Sequence, residues 1–566
     1  MIDVAAEKSL TRLISVGSAV TTIFIMSGSV TDPVNASKFL ILGIVACAAL
    51  GVVLRFHLRR LITTNPVTLL ALAFFAAMAI TSTWLSDLPL IQNLYGLYGR
   101  NSGLYTYLFL MLMTLGALSI TQNHNLQKVI YGLGVAGLVN VVYSLWVITF
   151  GDFIGWVNPY GNILGTLGNP NFIGAFLGMF FSVLMAYVFN SKLELKFRLS
   201  LVVVAGLTFF EIYDSRAIQG RVVAALGLVI VGFFSIRSKF KSLILWGYST
   251  LVLGIGALAG LGALQIGPLT KYIYKYSVSL RGQYWLAGWN TGENHPLHGV
   301  GMDGFGDWYR RSRDIQALTT PGVNTVVNAS HNVFLDMFAF GGWPLFISYI
   351  ALIVIGGISL IRVVKRSKAY DPVFTAIVVA WLGYQLQSVI SINQIGLAIW
   401  GWVLTGALVA YERNSRDLIS SETTDSKRRG KMGQKRSQVS IVSSGMVAGV
   451  GMVIGAVIAS PPLASDMKWR SAQLSQSAEQ TEAALVPSFM NPPHSLKYLT
   501  SIQSFESSNL PELAHKYAAE AVKFNPESYE LWKVYYLIQA STPEEKAVAL
   551  QNMKRLDPLN PDVTAR

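Results

Sequence analysis

The sequence predicts an all-α membrane protein, a polytopic bundle of about 12 to 13 spanning helices with a large external loop and a small external helical domain. Hydrophobic residues make up 52% of the 566 residues and charged residues only 13%, whereas an average soluble domain carries roughly 25% charged residues. The apolar residues fall in separate runs of about 17 to 23, the length that a helix needs to cross roughly 30 Å of hydrocarbon. Lipid is therefore the predicted solvent for most of the chain.

The apolar runs give the predicted spans, and the charges between them predict the orientation. The runs lie at 12–30, 38–55, 66–85, 103–120, 128–149, 172–190, 199–213, 222–236, 243–265, 344–362, 372–389, 395–411 and 440–460. Clusters of lysine and arginine follow the second, sixth, eighth and tenth runs and fill the linker 412–439, all on one side of the bundle. Because an excess of these residues marks the cytoplasmic side, the N-terminus and the linker are predicted to be cytoplasmic. The span 440–460 then carries residues 461–566 to the outside.

Composition also excludes several classes of protein. The formal net charge of +14 does not indicate a nucleic-acid partner, because much of the positive charge lies in these short loops. Cys47 is the single cysteine, which excludes an internal disulfide and a thiolate zinc site. Lys8 and Arg12 precede a first run that has no cleavage-type ending, so this run is predicted to be a span and not a removed signal peptide.

The loops on the predicted outer side are longer and rich in aromatic residues, glycine and asparagine. They lie at 86–102, 150–171, 214–221 and 266–343. The last is far longer than a connection requires, and long loops in compact proteins are usually functional or disordered. Its many tyrosines and tryptophans are atypical of disorder. We therefore expect it to fold into short helices over the membrane domain 1–411.

The region 461–566 has the pattern of paired helices. Ala514, Ala518 and Ala521 share one face of a predicted helix that ends at Asn525-Pro526, and a second helix ends at Asp557-Pro558, 32 residues later. Small residues at a helix crossing and a turn marked by proline resemble tetratricopeptide repeats. An ordinary helical hairpin is the alternative interpretation. Two repeats are few for a stable stack, so the region is expected to lean on the membrane domain or on a partner protein.

Three basic residues on the predicted outer face could carry chemistry. Arg216 lies in the short turn "YDSRAIQGR", Arg281 opens "SLRGQYWLAGW", and His331 precedes a span in "NASHNVFLDMF". An arginine is a permanently charged donor fork that suits phosphate oxygens, so two arginines could hold a diphosphate. A histidine can take a proton from an attacking hydroxyl near neutral pH. These residue types together predict transfer from a diphosphate-activated donor.

Each of these residues also has a plainer interpretation. An arginine at the interface commonly extends toward lipid headgroups, and Arg221 competes for any role given to Arg216. A histidine at a helix start is often a cap or a packing residue. His295 and His298 have the spacing of a metal pair, but no cluster of carboxylates accompanies them. No metal or other cofactor is predicted.

A resemblance to a known family sharpens the prediction. The segment "LRGQYWLAGWNTGENHPLHGVGMDGFGDWY", followed by "SHNVFLDMFAFGGWPLF", resembles the Wzy/O-antigen ligase superfamily, in which an arginine, a tryptophan and "HPl.GvG" precede "HN..L". The resemblance extends to "YGRNSGLYTYL", "GTLGNPNFIGAFL" and "DSRAIQGR" and covers most of residues 90–410. It implies an enzyme of the bacterial cytoplasmic membrane that moves a glycan from a polyprenyl diphosphate to an acceptor hydroxyl on the outer face, without a metal or nucleotide.

The same resemblance implies roles for individual residues. Arg216 and Arg281 would hold the diphosphate, His331 would activate the acceptor hydroxyl, and Asn332 would fix the geometry of that histidine. The predicted substrate-binding set is completed by Arg100, Arg221, Asp336, Tyr284 and Trp285.

The sequence departs from the family pattern at two places. Many members have a glutamate nine residues after the histidine, where this chain has Phe340, and Asp336, one turn earlier, is the predicted substitute. In the turn that contains Arg216, "AIQGR" replaces the usual small-residue continuation.

Two rival functions remain open from the sequence. A polyprenyl-phosphate-sugar glycosyltransferase would need paired acids in the first outer loop, where Asp87 stands alone. A lipid-glycan transporter would place charges within spans, often in repeated halves. The acceptor is also open, since a glycan, a lipid and a protein would all use the same donor chemistry. The predicted partners are this donor, its acceptor, membrane lipids and a protein bound by the C-terminal repeats.

Overall fold

The chain is built from helices and connecting loops. The computed structural model describes residues 4–274, 276–425 and 443–564, with the backbone alone for Ile273 and residues 417–425. Within these ranges there is no β-strand. The first helices are α1 (Val4–Ile23), α2 (Asn35–Val52), α3 (Leu58–Thr64), α4 (Pro66–Trp84), α5 (Leu90–Tyr95), α6 (Leu104–Leu118), α7 (Asn123–Phe150), α8 (Pro170–Val188), α9 (Leu195–Asp214), α10 (Ile218–Lys239) and α11 (Ser242–Ala263). The predicted all-α fold class is confirmed.

The large loop and the C-terminal region are helical as well. The loop contains α12 (Thr270–Ile273), α13 (Tyr276–Asn294) and α14 (Phe305–Ser312), and the bundle continues with α15 (Val333–Arg366), α16 (Pro372–Ser388), α17 (Ile395–Asp425) and α18 (Ser444–Ser475). The C-terminal helices are α19 (Ala478–Leu485), α20 (Ser495–Ser507), α21 (Pro511–Phe524), α22 (Tyr529–Leu537), α23 (Pro543–Leu556) and α24 (Pro561–Thr564).

Nine of the described helices are long and apolar enough to cross a membrane. They are α2 with its continuation to Thr64, α4, α7, α8, α10, α11, α15, α17 and α18. The other predicted spans lie on helices too. Of these, α6 and α16 have only 15 and 17 residues, and α1 and α9 carry three and four charged residues. The chain is a multi-pass membrane protein.

Helix α17 lies at the centre of the bundle and α11 at its edge. Every residue in the most apolar stretch of α17 is buried, whereas none is buried in that of α11. Close contacts depend on small residues, as is usual between membrane helices. A Cβ added to Gly451 or Gly455 of α18 would lie 2.4 Å or 2.2 Å from a backbone oxygen of α2, so this pair can touch only because these positions are glycine.

The loops gather at two ends of the bundle, in agreement with the pattern of charges. At one end, Arg237 donates to the carbonyl oxygen of Ser367 at 2.6 Å, which joins two of the basic turns. At the other end, Arg100 donates to the carbonyl oxygen of Asn328. This bond joins the large loop to the loop 86–102, which is predicted to be external and is called the first outer loop below. The end that contains Arg100 is called the loop end below.

Several element boundaries differ from the apolar runs. Helix α1 (Val4–Ile23) begins eight residues before the predicted run 12–30 and ends seven residues before that run does. Helix α15 is two helices joined at a kink, because Gly341 and Gly342 have non-helical dihedral angles, and the predicted span 344–362 lies in the second. Helix α18 continues through Pro461 and Pro462 to Ser475, about four turns past the predicted end of the span. Helix α17 continues into the predicted linker 412–439 as far as Asp425. The rest of this linker lies outside the described residues.

The C-terminal helices have their own core. Ala514, Ala518 and Ala521, which the sequence places on one face, are fully buried. They pack with aromatic residues of α20 and α22 such as Phe505 and Trp532. Helix α23 begins with a capping box, in which Thr542 and Glu545 satisfy each other's backbone N–H groups. This core can therefore order the C-terminal helices as a unit.

Candidate functional site

Helix α13 carries one face of the site. Arg281, Tyr284, Trp285 and Gly288 recur at helical spacing and share a face, as the sequence predicts. Gly288 lets this face approach the loop before α15, because an added Cβ would lie 2.9 Å from the Cβ of Ser330. The helix therefore presents Arg281, Tyr284 and Trp285 to the residues around His331.

The conformation of the loop that contains His331 is fixed by its backbone and by its neighbours. Its φ is 56°, a left-handed value that non-glycine residues adopt uncommonly and that is enriched at functional sites. The next residue, Asn332, caps α15 by accepting from the N–H groups of Phe334 and Leu335 at 3.0 and 3.2 Å. The Tyr284 ring lies 5.5 Å from the imidazole. His331 is thus held between a helix cap and an aromatic ring.

The first outer loop brings a second arginine to this site. Arg100 forms an ion pair with Asp303 at 3.4 Å, and Asp303 also accepts from Leu97 N at 2.8 Å and Ser102 Oγ at 3.0 Å. Asp303 is fully buried, so it fixes the first outer loop against the large loop. Arg100 is oriented by this carboxylate and by the carbonyl oxygen of Asn328.

The charges of both arginines act on His331. Burial, then Arg281 and Arg100, lower the pKa of His331 to about 4, so the imidazole is neutral at neutral pH. The Nε atoms of Arg281 and Arg100 are buried and have no hydrogen-bond partner among the described residues. A buried N–H without a partner is costly, and an anion bound here would satisfy it. Arg100, Arg281 and His331 are called the basic site below.

Arg216 lies in a different loop from these three residues. It occupies the predicted short turn between α9 and α10 at the loop end, with φ of 54° and an exposed side chain. Within the described residues, no hydrogen bond or ion pair joins its side chain to the basic site. Arg221, one turn into α10, is exposed too. The turn packs against α8, where Gly174 faces Ser215 and Ala217.

Asp336 supports the loop that carries His331. Its Oδ1 accepts from Ser330 N at 2.8 Å and from Ser330 Oγ at 2.7 Å, and it is almost fully buried. Phe340, nine residues after His331, is fully buried, and its carbonyl oxygen accepts from Gly301 N at 3.0 Å. The carboxylate of Asp336 thus acts on the backbone geometry around His331.

The "HPLHGVG" segment packs against the kink of α15. Gly299 has φ of +63°, and a Cβ there would lie 2.2 Å from the backbone of Phe340, so only glycine fits. His295 and His298 each direct Nδ1 to a backbone carbonyl, at 3.1 and 3.0 Å. Among the described residues no group of three or more histidine, cysteine or acidic side chains could hold a metal. The role of this segment is therefore to position the backbone at the kink of α15.

The C-terminal region is bound to the large loop through a cluster of acidic residues and arginines. This cluster, called the arginine latch, consists of Arg310, Arg311 and Arg313 in the loop and of Glu527, Glu530 and Asp557 in the C-terminal region. Asp557 pairs with Arg313 at 2.7 Å and with Arg310 at 3.0 Å. The side chains of Arg313 and Asp557 are both fully buried. Removing one partner from such a pair costs about 3–5 kcal/mol, because the other charge would remain buried and unpaired. The latch therefore favours this particular contact between the two regions.

Sequence reasoning missed several residues of the site. Asp303 lies in the glycine-rich "GMDGFG" segment, where an acid among turn residues was a usable signal. Asn525 and Asp557 were recognised as helix ends, but not as contacts to the loops. Asn525 Nδ2 donates to Gln92 Oε1 at 3.3 Å. No local pattern marks these contacts, because they join residues more than 200 positions apart.

The fold and the site define a class: a multi-pass helical membrane protein with a basic site in its loop end. No protein-family model matches the chain, and no curated protein matches it by sequence. Chemically, two arginines with unpartnered N–H groups can bind an anion, and the neutral imidazole beside them can accept a proton.

Proposed function

We propose that the protein transfers a glycan from a polyprenyl diphosphate to an acceptor hydroxyl outside the cytoplasm. The single observation that carries this proposal is the grouping of Arg281 and Arg100 around a neutral His331. The N–H groups of the two arginines match the oxygens of a diphosphate. The imidazole can remove the proton of the attacking hydroxyl. The resemblance to the Wzy/O-antigen ligase superfamily supports the same chemistry.

In the proposed reaction, each residue of the basic site has its own role. Arg281 and Arg100 bind the leaving diphosphate and stabilise the charge that grows on it. His331 takes the proton from the acceptor as the new glycosidic bond forms and the bond to the diphosphate breaks, which inverts the anomeric carbon. Asn332 and Asp336 position His331 through the backbone. Arg216, exposed at the same end of the bundle, would offer a further positive charge to the lipid diphosphate.

The proposal is tested with purified full-length protein in liposomes and a synthetic polyprenyl-diphosphate oligosaccharide. His331→Ala and Arg281→Ala are each expected to lower donor turnover by about 100-fold or more, because they remove the base and a charge stabiliser. His124→Ala and Arg362→Ala are the matched controls, since both residues are exposed at the opposite end of the bundle. Wild-type turnover in both site variants would refute the assignment.

One observation favours a second function, transport of a lipid-linked glycan. Glu211 in α9 is buried, and neither carboxylate oxygen has a partner among the described residues. Ionisable residues inside a membrane commonly mark a transport path. A fluorescent polyprenyl-diphosphate glycan in sealed vesicles separates the two functions. Movement between leaflets that is lost in Glu211→Gln, without donor turnover, would support transport.

A further inference from the structure

A cavity of about 240 Å³ lies between the C-terminal helices and the two outer loops. Its walls come from α5 and the residues that follow it, from α14 and residues 326–328, and from residues 492–499 and 528–531. A single water needs only about 10–15 Å³ of such space, so the cavity is large enough for a ligand group. It is separate from the basic site.

The cavity and the basic site share a wall. Asn101 and Asn328 line the cavity, while Arg100, next to Asn101, donates to the carbonyl oxygen of Asn328. His331 follows Asn328 by three residues, and three extended residues span roughly 10 Å. A molecule held in the cavity can therefore reach His331 with a neighbouring part of the same chain.

The charges in the cavity do not suit a second diphosphate. Arg310 lines it, but this guanidinium already pairs with Glu530 at 2.6 Å and with Asp557 at 3.0 Å. Asp307, also in the wall, accepts from Gln92 at 2.7 Å. The cavity thus offers no uncompensated positive charge, and a ligand without net charge fits it better than an anion.

The side chains of the lining favour a polypeptide over a sugar. Of the three tyrosine rings in the wall, two have a partner on one face, since Tyr98 stacks on His494 at 4.4 Å and Arg310 lies 4.3 Å over the Tyr529 ring. The third, Tyr95, is only 8% exposed, so little ring surface is open to a sugar. Much of the remaining wall is aliphatic, with Ile91, Leu97, Leu496, Leu499 and Leu531. These side chains complement an apolar side chain.

Asn328 supplies the polar contact at the edge nearest His331. Its side chain is exposed, and its amide has no hydrogen-bond partner among the described residues. An amide that can both donate and accept matches a peptide backbone. We propose that the cavity binds an acceptor polypeptide: an apolar side chain of the acceptor fills the cavity, and a serine or threonine a few residues away reaches His331. This inference rests on the proposed function and names its acceptor.

The test uses the full-length protein in liposomes, the synthetic polyprenyl-diphosphate oligosaccharide and three acceptor probes. The probes are a serine peptide with a leucine three residues from the serine, the same peptide with asparagine in place of leucine, and a free oligosaccharide. The leucine peptide is expected to become glycosylated with a KM at least about ten-fold lower than the asparagine peptide, the discrimination typical of an apolar pocket. This comparison needs no variant.

A variant that fills the cavity gives the second measurement. Leu496 is 42% exposed, so Leu496→Trp can fill the cavity without disturbing a core, and it is expected to raise the KM for the leucine peptide about ten-fold. Gln503→Trp, exposed two turns later on α20 and outside the cavity, is expected to leave that KM unchanged. Equal use of both peptides, glycosylation of the oligosaccharide alone, or an unchanged KM in Leu496→Trp would overturn the inference. Absence of donor turnover with every probe would instead refute the proposed function.

Discussion

At the scale of residues, the state of His331 follows from what surrounds it. Burial and the charges of Arg281 and Arg100 all disfavour the imidazolium, which lowers the pKa of His331 to about 4. In the free protein, His331 is therefore a neutral but weak base. A bound diphosphate would neutralise the two arginines, and the basicity of the imidazole would then rise when the acceptor must be activated.

This coupling predicts different pH profiles for kcat/KM and kcat. The base acts only when unprotonated, so activity is lost as the pH falls through its pKa. For kcat/KM, which reports the free enzyme, the acid limb is expected near pH 4. For kcat, which reports the bound complex, the limb is expected at higher pH, because the donor screens both arginines. Donor turnover measured from pH 3 to 8 in liposomes checks both limbs.

Arg100→Gln supplies the control for this mechanism. Removing one of the charges that lower the pKa of His331 is expected to shift the acid limb of kcat/KM to higher pH. This shift is expected even if the maximum value of kcat/KM also changes. Arg362→Ala, at the opposite end of the bundle, should leave the limb in place. Identical acid limbs for kcat and kcat/KM in the wild type would contradict the coupling.

Residue types in the sequence suggest a chemistry, but they do not indicate which of the residues meet. His331 and Arg281 could be predicted because each belongs to a short pattern with a chemical meaning. Arg216 has the same residue type and lies at the same end of the bundle, yet it makes no contact with the basic site among the described residues. Arg100 is placed there by Asp303, more than 200 residues away. Such placement depends on tertiary packing, which no local pattern encodes.

At the scale of elements, the site depends on how closely α13 approaches the loop before α15. Gly288 permits that approach, and Gly292, one turn on, is as crowded, since a Cβ there would lie 2.4 Å from the Phe338 ring. Trp285 Nε1 lies 3.5 Å from the carbonyl oxygen of His331. A small shift of α13 would therefore move Arg281 relative to His331.

Gly288→Ala tests this dependence. The added Cβ would overlap Ser330, so α13 must move away by some tenths of an ångström. Turnover is expected to fall by about ten-fold, since a misplacement of about 1 Å can cost about 100-fold. Gly282→Ala, on the same helix with open space around its Cβ position, should keep full turnover. Donor turnover and thermal unfolding in detergent are measured together. Equal turnover in both variants would show that the distance between α13 and the loop is not important.

The positions of the elements could largely be predicted, since each apolar run lies on a helix. Their internal irregularities could not. The kink at Gly341 and Gly342 arises because the "HPLHGVG" backbone packs there: the N–H of Trp343 donates to the carbonyl oxygen of Pro296 at 2.8 Å. An apolar run reports burial in lipid or protein, but it does not report where another segment replaces a helical hydrogen bond.

At the scale of the whole molecule, the C-terminal helices are connected to the basic site. The arginine latch holds α14, and α14 contacts α13, where Asn290 Nδ2 donates to the carbonyl oxygen of Ser312 at 3.0 Å. The rings of Tyr309 in α14 and Tyr284 in α13 lie 6.2 Å apart, and Tyr284 packs beside His331. The sequence predicts that the terminal helices need support, but it does not indicate that they order the loop of the site.

Asp557→Asn is expected to loosen this connection without preventing insertion into the membrane. The substitution leaves the buried Arg313 without its carboxylate, at a cost of about 3–5 kcal/mol. If α14 opens locally, a loss of about 3 kcal/mol makes backbone hydrogen exchange in residues 306–312 about 100-fold faster, and donor turnover should fall with it. Asp562→Asn, a nearby exposed acid, is the control and should change neither. Because α7 to α11 form no hydrogen bond or ion pair with the latch among the described residues, their exchange should remain as in the wild type. Unchanged exchange in residues 306–312 would mean that the loop holds its conformation without the C-terminal helices.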